Sequence, residues 1–282
     1  MYGGRVIDRP TAIAVDRALL EVEARFDQLL HSIRHLDAKA VGHWSAAETA
    51  AHVATISYFD AGACGSQANV PFAHDDLIER AEHAQITDVE HLNAEALRRF
   101  TERDPHRLAE QVAANVEAIA VAVATDPDRP TTWLGGVDLP IRAVAGHLLL
   151  ELAIHGLDIS RSQHLAWDVA EPDARIVLDE FLFPFLEAAS HKLASVTAKP
   201  VRVELRVLGL EPKVIDIGAG HVSVGLATQD RADVVFTTDA ATLVLLMFER
   251  LDPVSVLASR RLKIGGRRPW RMLRFRRQMS MP

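Results

Sequence analysis

The stretch His147-Leu-Leu-Leu-Glu151-Leu-Ala-Ile-His155-Gly-Leu-Asp158 constrains this chain more than any other. In an α-helix, residues four apart lie one above the other on one face. His147, Glu151 and His155 therefore form a column, and Asp158 stands one further turn along it. Between them lie Leu148, Leu149, Leu150, Leu152, Ala153, Ile154 and Leu157, so the helix is apolar nearly all round and is expected to be buried. Ionisable groups on a buried helix are costly unless they are paired or hold a metal.

Imidazole and carboxylate together suit Zn²⁺ or a similar first-row ion. Helical bundles build such sites from inward-facing side chains on neighbouring helices. An isolated His52 far upstream is the candidate third ligand beside Glu151 and His155. Three protein ligands leave the fourth position open, the pattern of a catalytic rather than a structural zinc. His147 is an alternative ligand or a residue standing behind the ligands. Asp158 either orients His155 by accepting its free N–H or caps the helix end locally.

A chain of 282 residues suffices for one large domain or two ordinary ones. Its net charge of −7 gives no overall case for nucleic-acid or membrane binding. The charge is unevenly spread. No acidic residue follows Asp252, whereas Arg260, Arg261, Lys263, Arg267, Arg268, Arg271, Arg274, Arg276 and Arg277 crowd the C-terminus. This is read either as a solvated face or as an anion-attracting rim; aromatic residues do not interleave with it as nucleic-acid binding would ask. The single cysteine, Cys64, excludes an internal disulfide framework and is expected to be an ordinary buried thiol. With no signal-peptide core at the N-terminus and no unbroken apolar run near ~20 residues, the expected location is cytoplasmic.

Apolar residues spaced three or four apart from Thr11 to about His35 predict an amphipathic helix. Ser45-Ala-Ala-Glu48 is a capping box that opens a second helix through His52 to about Gly62. The segment 62–86 reads as a connection with room for one short helix. Thr87-Asp-Val-Glu90 is a second capping box, Asp104-Pro105 restarts the helix, and Pro140 opens the helix of the column. A further helix is expected from Pro172 to about Ser195.

The composition changes at Lys199-Pro200. Val201–Val207 alternates as a half-buried strand does, and Val214–Ile217, Val222–Leu226, Val234–Thr237 and Leu262–Ile264 read as further short strands. Asp239 and Asp252 are expected helix caps. The fold class is therefore α+β, with residues 1–198 as a metal-binding helical bundle and 199–282 as a small α+β domain.

These residues carry a resemblance. Trp44-Ser-Ala-Ala-Glu-Thr-Ala-Ala-His52 is similar to the W-(S/T)-x-x-(D/E)-x-x-x-H segment of the DinB-like, mycothiol-dependent maleylpyruvate isomerase family. Glu151-Leu-Ala-Ile-His155-Gly-Leu-Asp158-Ile resembles its E-x-x-x-H-x-x-D-(L/I) segment. Ala232–Phe236, Asp239, Leu251-Asp-Pro253 and Arg261–Gly266 resemble the sterol carrier protein-like domain that follows the bundle in that family. The resemblance implies a DinB-like four-helix bundle, a zinc or other divalent ion on His52, Glu151 and His155, and mycothiol as thiol cofactor. Two departures stand out: Gly42-His43 replaces the usual Pro-Gly before the tryptophan, and His147 adds a histidine that the motif does not demand.

The implied chemistry is coherent, because a thiolate rather than a thiol is the nucleophile and zinc deprotonates a bound thiol. A thiolate that adds to an activated double bond, allows rotation and leaves again gives cis–trans isomerisation of a maleylpyruvate-like acid. One that remains attached gives S-transfer to an electrophile. Arg260 and Arg261 are the first candidates to hold substrate carboxylates, with Arg267 behind them. Trp44, His147 and Asp158 are expected around the cofactor, and Trp133 is a further candidate for the pocket wall. The partners are then a small thiol and a small electrophilic or unsaturated acid, with no nucleic acid and no membrane. Two rivals stand beside this reading: a thiol-independent zinc hydrolase on the same site, and a non-catalytic carrier in which the sterol carrier-like domain holds an apolar ligand and the bundle is only scaffold.

Overall fold

The computed structural model describes residues 9–65, 75–85, 88–190, 200–218, 220–228 and 230–273. The predicted cap Thr87, the end of the helix predicted to Ser195, and Arg274, Arg276 and Arg277 lie outside them. In chain order the elements begin α1 (Arg9–His31), β1 (Lys39–Val41), β2 (Trp44–Ser45), α2 (Ala46–Ala63), α3 (Asp75–Glu82) and α4 (Val89–Arg99). There follow α5 (Pro105–Thr125), β3 (Pro130–Trp133), β4 (Val137–Pro140), α6 (Ile141–Gln163), α7 (Glu171–Ile176) and α8 (Phe183–Ala188). The last are β5 (Val201–Val207), β6 (Lys213–Gly218), β7 (His221–Leu226), β8 (Val234–Thr238), α9 (Ala240–Met247), α10 (Pro253–Ala258) and β9 (Lys263–Gly265).

The chain forms two compact units. The first comprises Met1–Leu77, Asn93–Trp133 and Asp138–Asp168. Its frame is four long helices, with α1 and α2 each packed against both α5 and α6. On α1, Val15, Leu19, Val22, Phe26, Leu29 and Leu30 are buried, which is the apolar stripe read from the sequence. The Ser45 capping box starts α2: Ser45 Oγ accepts from Glu48 N–H at 3.2 Å, and Glu48 Oε2 accepts from Ser45 N–H at 2.8 Å. Asp104 caps α5 by accepting from the N–H groups of His106 and Arg107. The buried small residues Ala46, Ala47, Ala50, Ala51 and Ala54 line α2, and small contact residues let packed helices approach closely. That brings His52 within reach of α6.

Two short hairpins were not anticipated. Strands β1 and β2 pair through a turn at Gly42-His43, where Gly42 has φ +54°. That left-handed backbone favours glycine at position 42. Strands β3 and β4 pair across Gly135 and Gly136, at φ +73° and +68°. Strands of two to four residues are too short to show an alternation in sequence.

The expectation about apolar length needs correction. Helices α5 and α6, with mean hydropathy 1.3 over their most apolar 18 residues, are long and apolar enough to cross a membrane by length and composition. The most apolar window of α6 is 89% buried inside the protein and that of α5 44%. In α6 the apolar character therefore serves the core: Leu148, Leu149, Leu150, Leu152 and Ile159 are among its largest buried side chains.

The second unit takes Ile78–Leu92, Leu134–Val137 and Val169–Pro282. Its sheet has the order β7-β6-β5-β8-β9, antiparallel throughout except for the parallel pair β5–β8. Val201, Val203, Leu205 and Val207 are buried while Arg202, Glu204 and Arg206 alternate with them, the period of two read from the sequence. A π-helical turn, Val177–Leu182, joins α7 to α8. The Glu171 carboxylate at the start of α7 accepts the N–H groups of Ala240 and Ala241 at 3.0 and 2.9 Å, satisfying the first turn of α9. Asp239 and Asp252 cap α9 and α10.

Part of the basic C-terminal run has a local task here. Asp233 is buried, and Arg271 donates to its Oδ2 at 2.7 Å while Arg267 and Arg268 lie 3.6 Å from Oδ1. Burial opposes ionisation of Asp233, but Arg271, the Arg202 N–H and Arg268 hold its carboxyl below the usual range. A carboxyl whose pKa is depressed on folding stabilises above its unfolded value of about 3.9 and loses that contribution as pH falls. The unfolding free energy of the parent is thus expected to fall more steeply below about pH 4 than that of Asp233→Asn. Superimposable pH–stability profiles would contradict this role.

Candidate metal centre

Helix α6 presents His147, Glu151, His155 and Asp158 along one side, and α2 presents His52 and Asp60. The Glu151 carboxylate is the hub. Its Oε2 lies 3.5 Å from His52 Nε2 and 3.2 Å from His155 Nε2. Its Oε1 faces His147 Nε2 at 3.5 Å. His52, Glu151 and His155 each offer one ligand atom, all within 4.8 Å of one another.

Each imidazole has a different environment behind it. His155 Nδ1–H donates to Asp158 Oδ2 at 3.1 Å. Asp158 therefore orients His155, and since α6 continues to Gln163 it does not cap the helix end. His147 Nδ1–H donates to Asp60 Oδ2 at 2.8 Å. His52 Nδ1 is buried without a hydrogen-bond partner among the described residues. The Trp44 ring lies over His52 with centroids 4.7 Å apart, and Trp133 meets His147 edge-on at 4.6 Å.

Burial alone would raise the Glu151 carboxyl; the imidazoles of His147, His155 and His52 reverse this and hold it well below the usual carboxylate range. Burial resists charging of the histidines as well. For His155 the Asp158 and Glu151 carboxylates win, and its pKa is raised to about 9. For His147 the Asp60 and Glu151 carboxylates raise it to about 10. Among the described residues no second carboxylate backs His52, and burial lowers its pKa despite Glu151.

Asp60 is the site residue that sequence reasoning missed. It is 1% exposed, and besides His147 it accepts a hydrogen bond from Trp133 Nε1–H at 3.0 Å. A signal existed: Asp60 lies two helical turns beyond His52 on a helix of mostly small and apolar residues. Cys64 is buried just past the end of α2, and burial raises its thiol pKa to about 12. Arg260 and Arg261 belong to the second unit, where Arg261 donates to Thr242 Oγ1 at 2.6 Å and Arg260 has φ +60°.

Residues 19–160 match the family model described as the mycothiol maleylpyruvate isomerase N-terminal domain. The chain belongs to the mycothiol-dependent maleylpyruvate isomerase family. His52, Glu151 and His155 all fall inside the match. Residues 178–268 match a second model, the SCP-2 sterol transfer family, as expected for the sterol carrier-like part of this family. Among solved structures, that of a mutant of the mycothiol-dependent maleylpyruvate isomerase is similar, at 13% identity and a TM-score of 0.49. A second structure of the mycothiol-dependent maleylpyruvate isomerase is 14% identical, with a TM-score of 0.46. Each alignment covers 85% of this chain and 88% of the other. No curated protein shows detectable similarity to the sequence.

The residues present fit a divalent ion. Two imidazoles and one carboxylate converge from two helices, and one of the imidazoles is backed by a carboxylate, as metal-bound histidines usually are. Gly156, beside His155, shows how tightly the helix is held. A Cβ there would sit 2.3 Å from the Trp167 ring, which is fixed by its hydrogen bond to Ala153 O and its edge contact with Phe26. Alanine is the better helix former by about 1 kcal/mol, but the overlap opposes it with about 1–3 kcal/mol. Gly156→Ala is therefore expected to destabilise the protein in denaturant unfolding; a stabilised variant would contradict this packing.

Proposed function

We propose that this protein is a metal-dependent enzyme that uses mycothiol to isomerise a maleylpyruvate-like unsaturated acid. What carries this reading is the convergence of His52, Glu151 and His155 in a chain of this family. Two neutral imidazoles and one carboxylate would leave a bound divalent ion with net positive charge, which favours thiolate over thiol at neutral pH.

The other groups have consistent tasks. Asp158 holds His155 in the tautomer that turns Nε2 toward Glu151. Trp44 and Trp133 offer flat apolar walls beside His52 and His147. Cys64, with its thiol pKa raised to about 12, stays protonated near neutral pH and is no internal substitute for an external thiol. Arg260 and Arg261 are assigned to the substrate carboxylates because the guanidinium fork binds a carboxylate bidentately. Transfer of the thiol to an electrophile remains the finer alternative within the same chemistry, and a cytoplasmic setting belongs to the same proposal.

The test is cis–trans isomerisation of maleylpyruvate by the purified full chain, followed by absorbance with and without mycothiol and with and without prior metal chelation. Turnover is expected only when thiol and metal are both present, and to be lost in His52→Ala. Arg261→Gln is expected to raise KM more than it lowers kcat. Hydrolytic turnover that ignores the thiol would favour the zinc hydrolase. Absence of any turnover or thiol conjugate in the metal-loaded protein would leave the non-catalytic carrier.

A further inference from the structure

The histidine that the family motif does not demand stands in a buried hydrogen-bond chain of the first unit. The two oxygens of Glu151 are divided: Oε2 faces His52 and His155, the candidate ligands, while Oε1 faces His147. Behind His147 stands Asp60, and behind Asp60 stands Trp133, linked by hydrogen bonds of 2.8 and 3.0 Å. Both Asp60 oxygens are engaged, Oδ1 by the indole and Oδ2 by the imidazole. The chain ties together α2, β3 and α6, and its side chains are buried or nearly so.

We propose that Trp133, Asp60 and His147 form a positioning clamp that occupies Glu151 Oε1 and so commits Oε2 to the metal. This rests on the metal reading above. The geometry supplies the reasons. A carboxylate with two free oxygens rotates and presents either or both to an ion; one oxygen held from outside presents only the other. His147 can hold Oε1 only if its ring is fixed, and Asp60 fixes it by accepting from Nδ1–H. Asp60 is fixed in turn, because the indole N–H meets its second oxygen. The trio of candidate ligands is complete without His147.

The test measures Zn²⁺ affinity by competition with a chromophoric chelator for the full-length parent, Asp60→Asn, His147→Gln and Trp133→Phe, together with thermal unfolding of each metal-free protein. Asp60→Asn and His147→Gln are expected to bind about 10–100-fold more weakly, while still taking up one ion per chain at saturation. Trp133→Phe, which removes the outermost hydrogen bond and keeps an aromatic ring beside His147, is expected to lose less. If Asp60→Asn does not fold, His147→Gln and Trp133→Phe still probe the clamp from its two ends. Affinities equal to that of the parent in the folded variants would overturn the clamp and leave the metal site standing. Loss of the ion at saturating Zn²⁺ in folded His147→Gln, as in Glu151→Ala, would make His147 a ligand and likewise overturn it. A parent that binds no Zn²⁺ would overturn the metal reading itself, and the clamp with it.

Discussion

A carboxylate inside a helical bundle is an expensive object, and the arrangement of the first unit follows from how Glu151 is accommodated. Taking an ion of this size out of water costs several kcal/mol even after relaxation. Helix α6 has no exposed face on which to put it, since its neighbours in sequence are core leucines, isoleucine and alanine. The cost is offset by three imidazoles placed around the two oxygens. Two of them come from α6 by helical spacing alone. The third must come from α2, and so α2 must start at a defined residue and pack closely, which the Ser45 capping box and the run of alanines provide.

The histidines pass the same problem outward. His155 leans on Asp158 and His147 on Asp60, so the buried charge alternates in sign from Asp60 through His147, Glu151 and His155 to Asp158. Such a network is stable when every member is satisfied and costly when one is removed. His52 is the exception: among the described residues no carboxylate stands behind it, its pKa is lowered, and its Nε2 faces Glu151 Oε2. A neutral imidazole and an anionic carboxylate at one point are what a divalent cation requires. The second unit handles its buried Asp233 differently, with three arginines and no histidine. That arrangement neutralises a charge without creating a place for a metal.

The sequence showed the α6 column because helical periodicity is a local property, and four-residue spacing survives whatever the tertiary structure does. It showed β5 for the same reason, through the alternation of Val201 to Val207. It showed His52 because Trp44, Ser45, Glu48 and His52 make one contiguous motif. Asp60 stayed hidden because its meaning depends on Trp133 and His147, 73 and 87 residues away, and no local pattern encodes such a meeting. The hairpins β1–β2 and β3–β4 stayed hidden because their strands are shorter than the period that would reveal them. The arginines of the C-terminal run read as a surface feature or a rim, whereas Arg267, Arg268 and Arg271 surround a buried carboxylate more than thirty residues upstream.

The central claim is that His52, Glu151 and His155 together hold one divalent ion. The most direct measurement is elemental analysis of the full-length chain after incubation with Zn²⁺ and desalting, beside Glu151→Gln treated identically. Glutamine keeps the size of the side chain and removes its charge, so a change in metal content reports the donor set rather than the packing. About one ion per chain in the parent and none in the folded variant is the predicted result. A parent without metal, or a variant that holds as much as the parent, would contradict it.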